Sequence, residues 1–113
     1  TFSLAEGFSS DLYQRANAVR AAMRSEFNSI LKSVNVIATP TSPSPAFRLG
    51  EKVNDPVAMY LSDIYTTPPS LTGHPALSVP SGTVDGLPIG LQLIGQEHNE
   101  AEILTLGMVI NGR

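Results

Sequence analysis

The sequence predicts an α/β fold in which helices and short strands alternate along one segment of 113 residues. Three observations support this prediction: an apolar stripe with helical spacing near the start, β-branched apolar runs further along, and an uneven distribution of proline. All nine prolines lie between Pro40 and Pro88. Because proline interrupts both helices and strands, we expect the elements in this region to be short.

The composition excludes several classes of protein and of site. With 42% hydrophobic and 15% charged residues, the chain is too apolar to be a disordered segment. It has no cysteine and two histidines, so we expect no disulfide, no thiol nucleophile and no metal site. No apolar run approaches the roughly 20 residues that span a bilayer, and no signal peptide opens the sequence. These features predict a cytoplasmic protein with no membrane contact.

Charge is distributed unevenly along the chain. Residues 1–49 have five basic and three acidic residues, a net charge of +2, whereas residues 50–113 have two basic and seven acidic residues, a net charge of −5. An acidic half without a basic stripe is poorly suited to a phosphate backbone. Any contact with nucleic acid is therefore expected to use another surface.

A long amphipathic helix is predicted over about residues 10–34, because apolar residues recur there at spacings of three and four. Ser9 and Ser10 are candidate N-caps, and Asp11 suits the first turn. The apolar stripe consists of Leu12, Ala16, Val19, Met23, Phe27, Ile30, Leu31 and Val34. A buried strand over residues 35–39 follows the helix and is predicted to stop at Pro40.

The region 40–73 is predicted to contain a proline-rich loop and then short helices. Each proline restricts its own φ and the conformation of its predecessor, so the loop over residues 40–55 is either ordered and extended or flexible. Short helices follow over residues 56–73, with Asp55 as the first cap. Gly73 is expected to end the last of them, because glycine adopts the left-handed conformation without steric cost.

A strand pair is predicted over residues 76–95, with a turn at Asp85-Gly86. Gly90 and Gly95 indicate bulges or the close approach of another backbone. A C-terminal helix is predicted over about residues 100–110, and it is apolar on nearly every side.

A self-contained catalytic site is not predicted. His74, Asp63 and several serines are present, but no Gly-x-Ser-x-Gly motif accompanies them, and the Gly-His-Pro turn accounts for His74 without chemistry. Glu97, His98 and Glu100 are too few to be expected to hold a metal ion, so we interpret them as the solvated start of a helix.

Asp63 differs from the other polar residues because its neighbours are apolar. Burial of an unpaired carboxylate beside Tyr60, Ile64 and Tyr65 would be costly, so a buried Asp63 would require a cation, backbone donors or water. Two interpretations remain open: a capping or solvent-facing aspartate, and a carboxylate that recognises a ligand.

Two stretches resemble the C-terminal conserved region of the amidase signature family: 71–82 (LTGHPALSVPSG) and 85–95 (DGLPIGLQLIG). Three more, 36–41 (VIATPT), 55–56 (DP) and 59–68 (MYLSDIYTTP), are similar to the glutaminase (A) subunits of tRNA-dependent amidotransferases in particular. The similarity to the A subunits rests chiefly on the Met-Tyr-x-x-Asp pattern of the last stretch. The resemblance covers nearly the whole chain.

The resemblance implies that this chain is a C-terminal fragment of a parent enzyme several times longer, with a mixed β-sheet flanked by helices. Such enzymes hydrolyse an amide with a Ser-Ser-Lys triad. In the glutaminase (A) subunits the amide is that of glutamine, and the released ammonia is used to convert Glu-tRNA(Gln) to Gln-tRNA(Gln). The implied partners are the B and C subunits of the amidotransferase, with ATP and Mg used by the B subunit and tRNA bound only through the complex.

The residues of this chain match little of the implied active site. The Ser-Ser-Lys triad is expected upstream of Thr1, as is an arginine a few residues before it, so we expect the fragment to be inactive and to need no cofactor of its own. Asp63 falls on a position that binds the α-amino group of glutamine in the family. We also expect the fragment to self-associate through exposed apolar faces around residues 34–38 and 103–110.

Two other functions stay open at this point. One is the equivalent part of a free-standing amidase that acts on small amides, for which a carboxylate at Asp63 would have no evident use. The other is a non-enzymatic interaction module, which leaves the position of Asp63 among apolar neighbours unexplained.

Overall fold

The structure is a computed structural model that describes residues 9–51 and 54–112. In the described residues, helices and strands alternate around a single antiparallel sheet, so the predicted helix-and-sheet class is confirmed. The elements in chain order are α1 (Ser9–Ile30), β1 (Ile37–Pro40), α2 (Pro56–Leu61), α3 (Thr67–Thr72), β2 (Ala76–Val84), β3 (Leu87–Ile94) and α4 (Glu100–Asn111).

Helix α1 ends at Ile30, before the predicted boundary near residue 34. Leu31 N still donates to Phe27 O at 2.9 Å, but Lys32 N turns to Ser29 O at 3.3 Å, which is the tighter pattern of a helix end. Gln96, which follows β3, donates from Nε2 to Leu31 O at 2.8 Å. This distant side chain satisfies a carbonyl that the end of the helix leaves free.

The sheet has the strand order β1-β3-β2, and both pairings are antiparallel. No parallel pairing occurs among the described residues; the mixed sheet that the resemblance implies is that of the longer parent enzyme. Strands β2 and β3 are antiparallel for a local reason, because a two-residue turn can join only antiparallel strands. The first strand lies at Ile37–Pro40, later than the predicted 35–39, and it includes Pro40 at the sheet edge, where a missing N–H is tolerated.

The hairpin between β2 and β3 turns at Asp85 and Gly86, which have φ of 53° and 80°. Two successive positive φ values are the geometry of a type I′ turn, whose twist matches that of paired strands. The register shifts between Pro80 and Thr83, and Gly82 lies in this irregular stretch with φ of 101°.

Helix α4 packs on the sheet, mainly against β2 and to a lesser extent against β3. Gly107 of α4 lies so close to Leu77 that an added Cβ would be 2.6 Å from Leu77 Cδ2. The small residue therefore permits the helix to approach β2. The buried apolar side chains of the described residues include Leu31, Pro69, Val79, Leu93, Ile94 and Ile103.

Gly90 and Gly95 of the β3 region were expected at bulges or close backbone contacts, and the structure places side chains against them instead. A Cβ at Gly90 would lie 2.7 Å from Ser78 Oγ, and one at Gly95 would lie 2.7 Å from Ile103 Cγ2. A larger residue at either position would therefore force neighbouring side chains to shift.

Helices α2 and α3 lie in the chain between the proline-rich loop and β2. Asp55 Oδ1 accepts a hydrogen bond from Ala58 N at 3.1 Å, which is the N-cap interaction of α2. Gly73 follows α3 with φ of 80°, and its N–H donates to Pro69 O at 3.0 Å. Turns over residues 62–66 join the two helices.

Apart from Pro40, which ends β1, the described residues of the proline-rich loop predicted over 40–55 contain turns and bends but no helix or strand. Residues 52 and 53 of the predicted span lie outside the described residues. Ser42 Oγ donates to Ser44 O at 2.9 Å within this loop. In the described part of the chain, no helix is both long and apolar enough to cross a membrane.

Candidate functional site

Asp63 lies in the turns between α2 and α3, and its backbone is held on both sides. Its N–H donates to Tyr60 O at 3.3 Å, and its carbonyl accepts from Thr66 N at 3.2 Å and Thr67 N at 3.0 Å. Consecutive turns of this kind define the direction in which the side chain leaves the backbone. The backbone conformation around Asp63 is thus set by local hydrogen bonds.

The carboxylate of Asp63 is exposed. The sequence left a solvent-facing aspartate and a ligand-recognition carboxylate open for Asp63, and named a cation, backbone donors or water as what its charge would need. In the structure Asp63 is exposed, so water can solvate the charge. No residue of the described ranges hydrogen-bonds or pairs with this carboxylate. It is therefore accessible to a ligand.

Asp63 lines an open pocket of about 290 Å³. The other lining side chains come from α1, α2, α3 and the turns, and Asp63 is the charged residue among them; they are Met23, Tyr60, Leu61, Ile64, Thr67, Pro68 and Leu71. A cavity of this size suits a small molecule. A single carboxylate among apolar and hydroxyl groups favours a ligand with one positive charge.

One buried side chain connects the Asp63 turns to the sheet. Gln92, in β3, is 4% exposed. Its Nε2 donates to Tyr65 O at 2.7 Å and to Thr39 Oγ1 at 3.0 Å. The sequence contained Gln92 within a family motif, but no local spacing indicated its contact with the Asp63 segment, because Gln92 and Tyr65 are 27 residues apart.

His74 has a structural environment. Its side chain is fully buried, and its ring nitrogens lie 2.8 Å from Thr72 Oγ1 and 2.8 Å from Asn28 Oδ1. Burial lowers the pKa of His74, a nearby Glu97 opposes this shift, and Arg24 adds to it. With both nitrogens engaged, this ring joins α1 to the turn after α3.

Glu97 differs from the interpretation made from the sequence, which placed it with His98 and Glu100 at a solvated helix start. Glu97 Oε2 pairs with Arg24 Nη2 at 2.7 Å, while Oε1 is buried without a hydrogen-bond partner and lies 4.0 Å from His74 Nε2. Arg24 is 73 residues away, so no local pattern could reveal the pair. His98 and Glu100 are exposed.

Metal binding has no support in this geometry. Within residues 9–51 and 54–112, no group of three or more His, Asp or Glu side chains could hold a metal ion. The pocket at Asp63 offers a carboxylate for binding.

Comparison with known proteins shows which sequences resemble this one. The family model described as Amidase matches residues 1–104. The A subunit of glutamyl-tRNA(Gln) amidotransferase from Chloroflexus aggregans is 50% identical over 107 residues, which is 95% of this chain. The protein of the same name from Geobacillus thermodenitrificans is 46% identical over 103 residues, or 91% of this chain. This chain spans about a fifth of the length of these relatives, 22% and 21% respectively.

Solved structures extend the similarity to the fold. The crystal structure of the glutamyl-tRNA(Gln) amidotransferase A subunit from Thermotoga maritima matches 90% of this chain and 22% of its own, with a TM-score of 0.82 and 39% identity. A structure described as an amidase matches 84% of this chain and 23% of its own, with a TM-score of 0.73 and 31% identity. Both comparisons relate this chain to one part of a larger structure.

Proposed function

Because this chain belongs to the amidase family, as its motifs predicted, we propose that it forms the C-terminal portion of the glutaminase (A) subunit of a tRNA-dependent amidotransferase. The complete enzyme releases ammonia from glutamine for the conversion of Glu-tRNA(Gln) to Gln-tRNA(Gln). The observation that supports this most directly is the 50% identity to a protein of that name over 95% of the chain.

Within this function, Asp63 binds the α-ammonium group of glutamine. A charge-assisted hydrogen bond between a carboxylate and an ammonium is short and roughly twice as strong as a neutral one. The accessible carboxylate and the small size of its pocket support this assignment. Asp63 acts in binding alone, because hydrolysis of the amide is performed by a Ser-Ser-Lys triad that the rest of the enzyme supplies.

The partners follow from the same proposal. The B subunit uses ATP and Mg to activate the glutamyl group, the C subunit belongs to the same complex, and tRNA is bound only through that complex. The net charge of −5 over residues 50–113 is consistent with this arrangement, since an acidic surface does not attract a phosphate backbone. This chain itself contributes no cofactor ligand.

A second candidate is a free-standing amidase, favoured by the similarity to the structure described as an amidase at 31% identity. Such an enzyme acts on small amides that lack an ammonium group. It gains nothing from an accessible carboxylate in the pocket, since a neutral ligand there would have to displace the water around that charge.

The experiment that separates the two candidates is the substitution Asp63→Asn in the complete enzyme. We expect kcat/KM for glutamine to fall about 10- to 100-fold, because a hydrogen bond to a charged group is lost. The value of kcat/KM for glutaramate, which is glutamine without its α-amino group, should change little. Ammonia release measures both reactions.

The matched control is Asp85→Asn, the same chemical change at the hairpin turn, where asparagine tolerates the positive φ. It should leave both substrates unaffected. Equal losses for glutamine and glutaramate in Asp63→Asn would contradict the ammonium role and leave Asp63 with a role in packing.

A further inference from the structure

The segment that presents Asp63, residues 62–66, has one long-range side-chain hydrogen bond among the described residues. Its other side-chain bonds join residues at most four apart: Ser62 Oγ donates to Ala58 O at 3.0 Å, Thr66 Oγ1 donates to Asp63 O at 3.4 Å, and Ser70 Oγ donates to Thr66 O at 3.3 Å. The long-range bond is the one from Gln92 Nε2 to Tyr65 O, at 2.7 Å. The sheet therefore holds this segment through Gln92.

We propose that Gln92 is a positioning residue for substrate recognition, which holds the Asp63 carboxylate where it meets the α-amino group of the substrate. The proposal rests on the proposed function. It adds a specificity determinant that lies inside the sheet and does not contact the substrate. Two features of the geometry support it, namely the fixed orientation of the Gln92 amide and its connection to a second strand.

The orientation of the Gln92 amide is determined by its partner. The Tyr65 carbonyl can only accept, so the NH₂ group of Gln92 must face it. The second hydrogen of the NH₂ group points to Thr39 Oγ1 at 3.0 Å, and Thr39 pairs with Gln92 across β1 and β3. A side chain that is 4% exposed and bonded to both a neighbouring strand and a turn has little freedom to move.

The link from Gln92 to Asp63 is short. Tyr65 follows Asp63 by two residues, and Asp63 O is tied to Thr66 N at 3.2 Å and Thr67 N at 3.0 Å, on the far side of Tyr65. A displacement of the Tyr65 carbonyl therefore moves the closed turn that contains Asp63. The carboxylate itself is exposed and has no second anchor within the described residues.

The substitution Gln92→Glu tests this role with almost no change of shape. It places a carboxylate oxygen against the Tyr65 carbonyl, and two acceptors repel each other. In the complete enzyme we expect KM for glutamine to rise about tenfold with kcat nearly kept, since recognition of the amino group is lost while the triad is intact. Kinetics with glutaramate should stay within about twofold of wild type.

The matched control is Ser78→Ala. Ser78 also pairs with Gln92 in the sheet, and its Oγ bonds to Thr41 Oγ1 at 2.7 Å, so the variant loses a hydrogen bond of the same sheet without touching Tyr65. The ratio of kcat/KM for glutamine to that for glutaramate should be unchanged. Equal losses for both substrates in Gln92→Glu would show a merely structural role and overturn the proposal.

Two further variants keep the result decisive. If Gln92→Glu does not fold, Gln92→Met keeps the length of the side chain but removes the donor to Tyr65 O. An unchanged ratio of kcat/KM for glutamine to that for glutaramate in Gln92→Met would overturn the proposal. In the Asp63→Asn background, Gln92→Glu should not lower the ratio of kcat/KM for glutamine to that for glutaramate any further, because both substitutions act through the same carboxylate. Additive losses in the double variant would refute the proposal. Failure of the proposed function is distinct, since wild type would then not hydrolyse glutamine.

Discussion

His74 joins three parts of the chain through one imidazole ring. Its nitrogens contact Asn28 of α1 and Thr72 of α3 at 2.8 Å each, and Glu97 after β3 lies 4.0 Å away. Phe27 packs beside the ring with a centroid separation of 5.3 Å. Burial makes the protonated ring unfavourable, so the stability of this junction depends on pH.

The pKa of His74 is lowered in the folded chain, so the folded state binds a proton less readily than the unfolded state does. Above the ordinary value of 6.5 the ring is neutral in both states, and the stability it contributes is fully present. We expect the free energy of unfolding to fall as the pH drops below that value. Urea titrations of this chain between about pH 7.5 and 5.5 measure the slope of the free energy of unfolding against pH.

The variant His74→Gln should reduce that slope, whereas His98→Gln, at an exposed histidine, should keep it. Glu97 raises the pKa of His74 and Arg24 lowers it. Because Glu97→Gln removes the group that favours the protonated ring, it should make the free energy of unfolding fall more as the pH drops. A slope that persists unchanged in His74→Gln would show that other groups cause the pH dependence.

The β2–β3 hairpin shows how an element depends on a backbone conformation. Asp85 and Gly86 both have positive φ, and nothing lies within 4 Å of a Cβ built on Gly86. Steric crowding is therefore not the reason for glycine at this turn. The reason is conformational, because a β-branched residue is strongly disfavoured in the left-handed region.

For this element we predict that Gly86→Val lowers the free energy of unfolding by about 1–2 kcal/mol, through backbone strain at the turn. Gly86→Asn is the matched control, since asparagine enters the left-handed region more easily, and its loss should be clearly smaller. Urea unfolding monitored by circular dichroism gives both values. Equal midpoints for the two variants would contradict the argument from φ.

The molecule as a whole is a flat plate of 53 × 41 × 18 Å, with a radius of gyration of 16.8 Å. A compact domain of about this length has a radius near ~13 Å. Many large apolar side chains remain open on its faces, among them Val19 at 60%, Tyr60 at 82% and Met108 at 75% exposed. This shape supports the proposal that further parts of an enzyme pack on the plate, and for the chain alone it favours self-association.

At this scale we predict that the chain alone releases no ammonia from glutamine, because under the proposed function the Ser-Ser-Lys triad belongs to another part of the enzyme. Ammonia release is measured beside the complete enzyme at the same molar concentration. The predicted signal for the chain equals that of buffer. Turnover that survives repeated purification would place catalytic groups within these residues and refute the proposal.

The sequence by itself determined the helix-and-sheet class and the family, because both follow from residues that are close along the chain. Helical spacing, the Asp85-Gly86 turn and the motif around Asp63 are all local patterns. Boundaries were less well determined: the apolar stripe continues to Val34, but Gln96 meets Leu31 O just after α1 has ended at Ile30.

Only the tertiary structure decided which side chains meet and which are exposed. It placed Gln92 on Tyr65, Arg24 on Glu97, and the Asp63 carboxylate at the surface, where the premise of burial does not apply. Partners separated by 27 and 73 residues share no local pattern. Their contact depends on how the sheet and helices pack, because burial and long-range hydrogen bonds are properties of the packed chain.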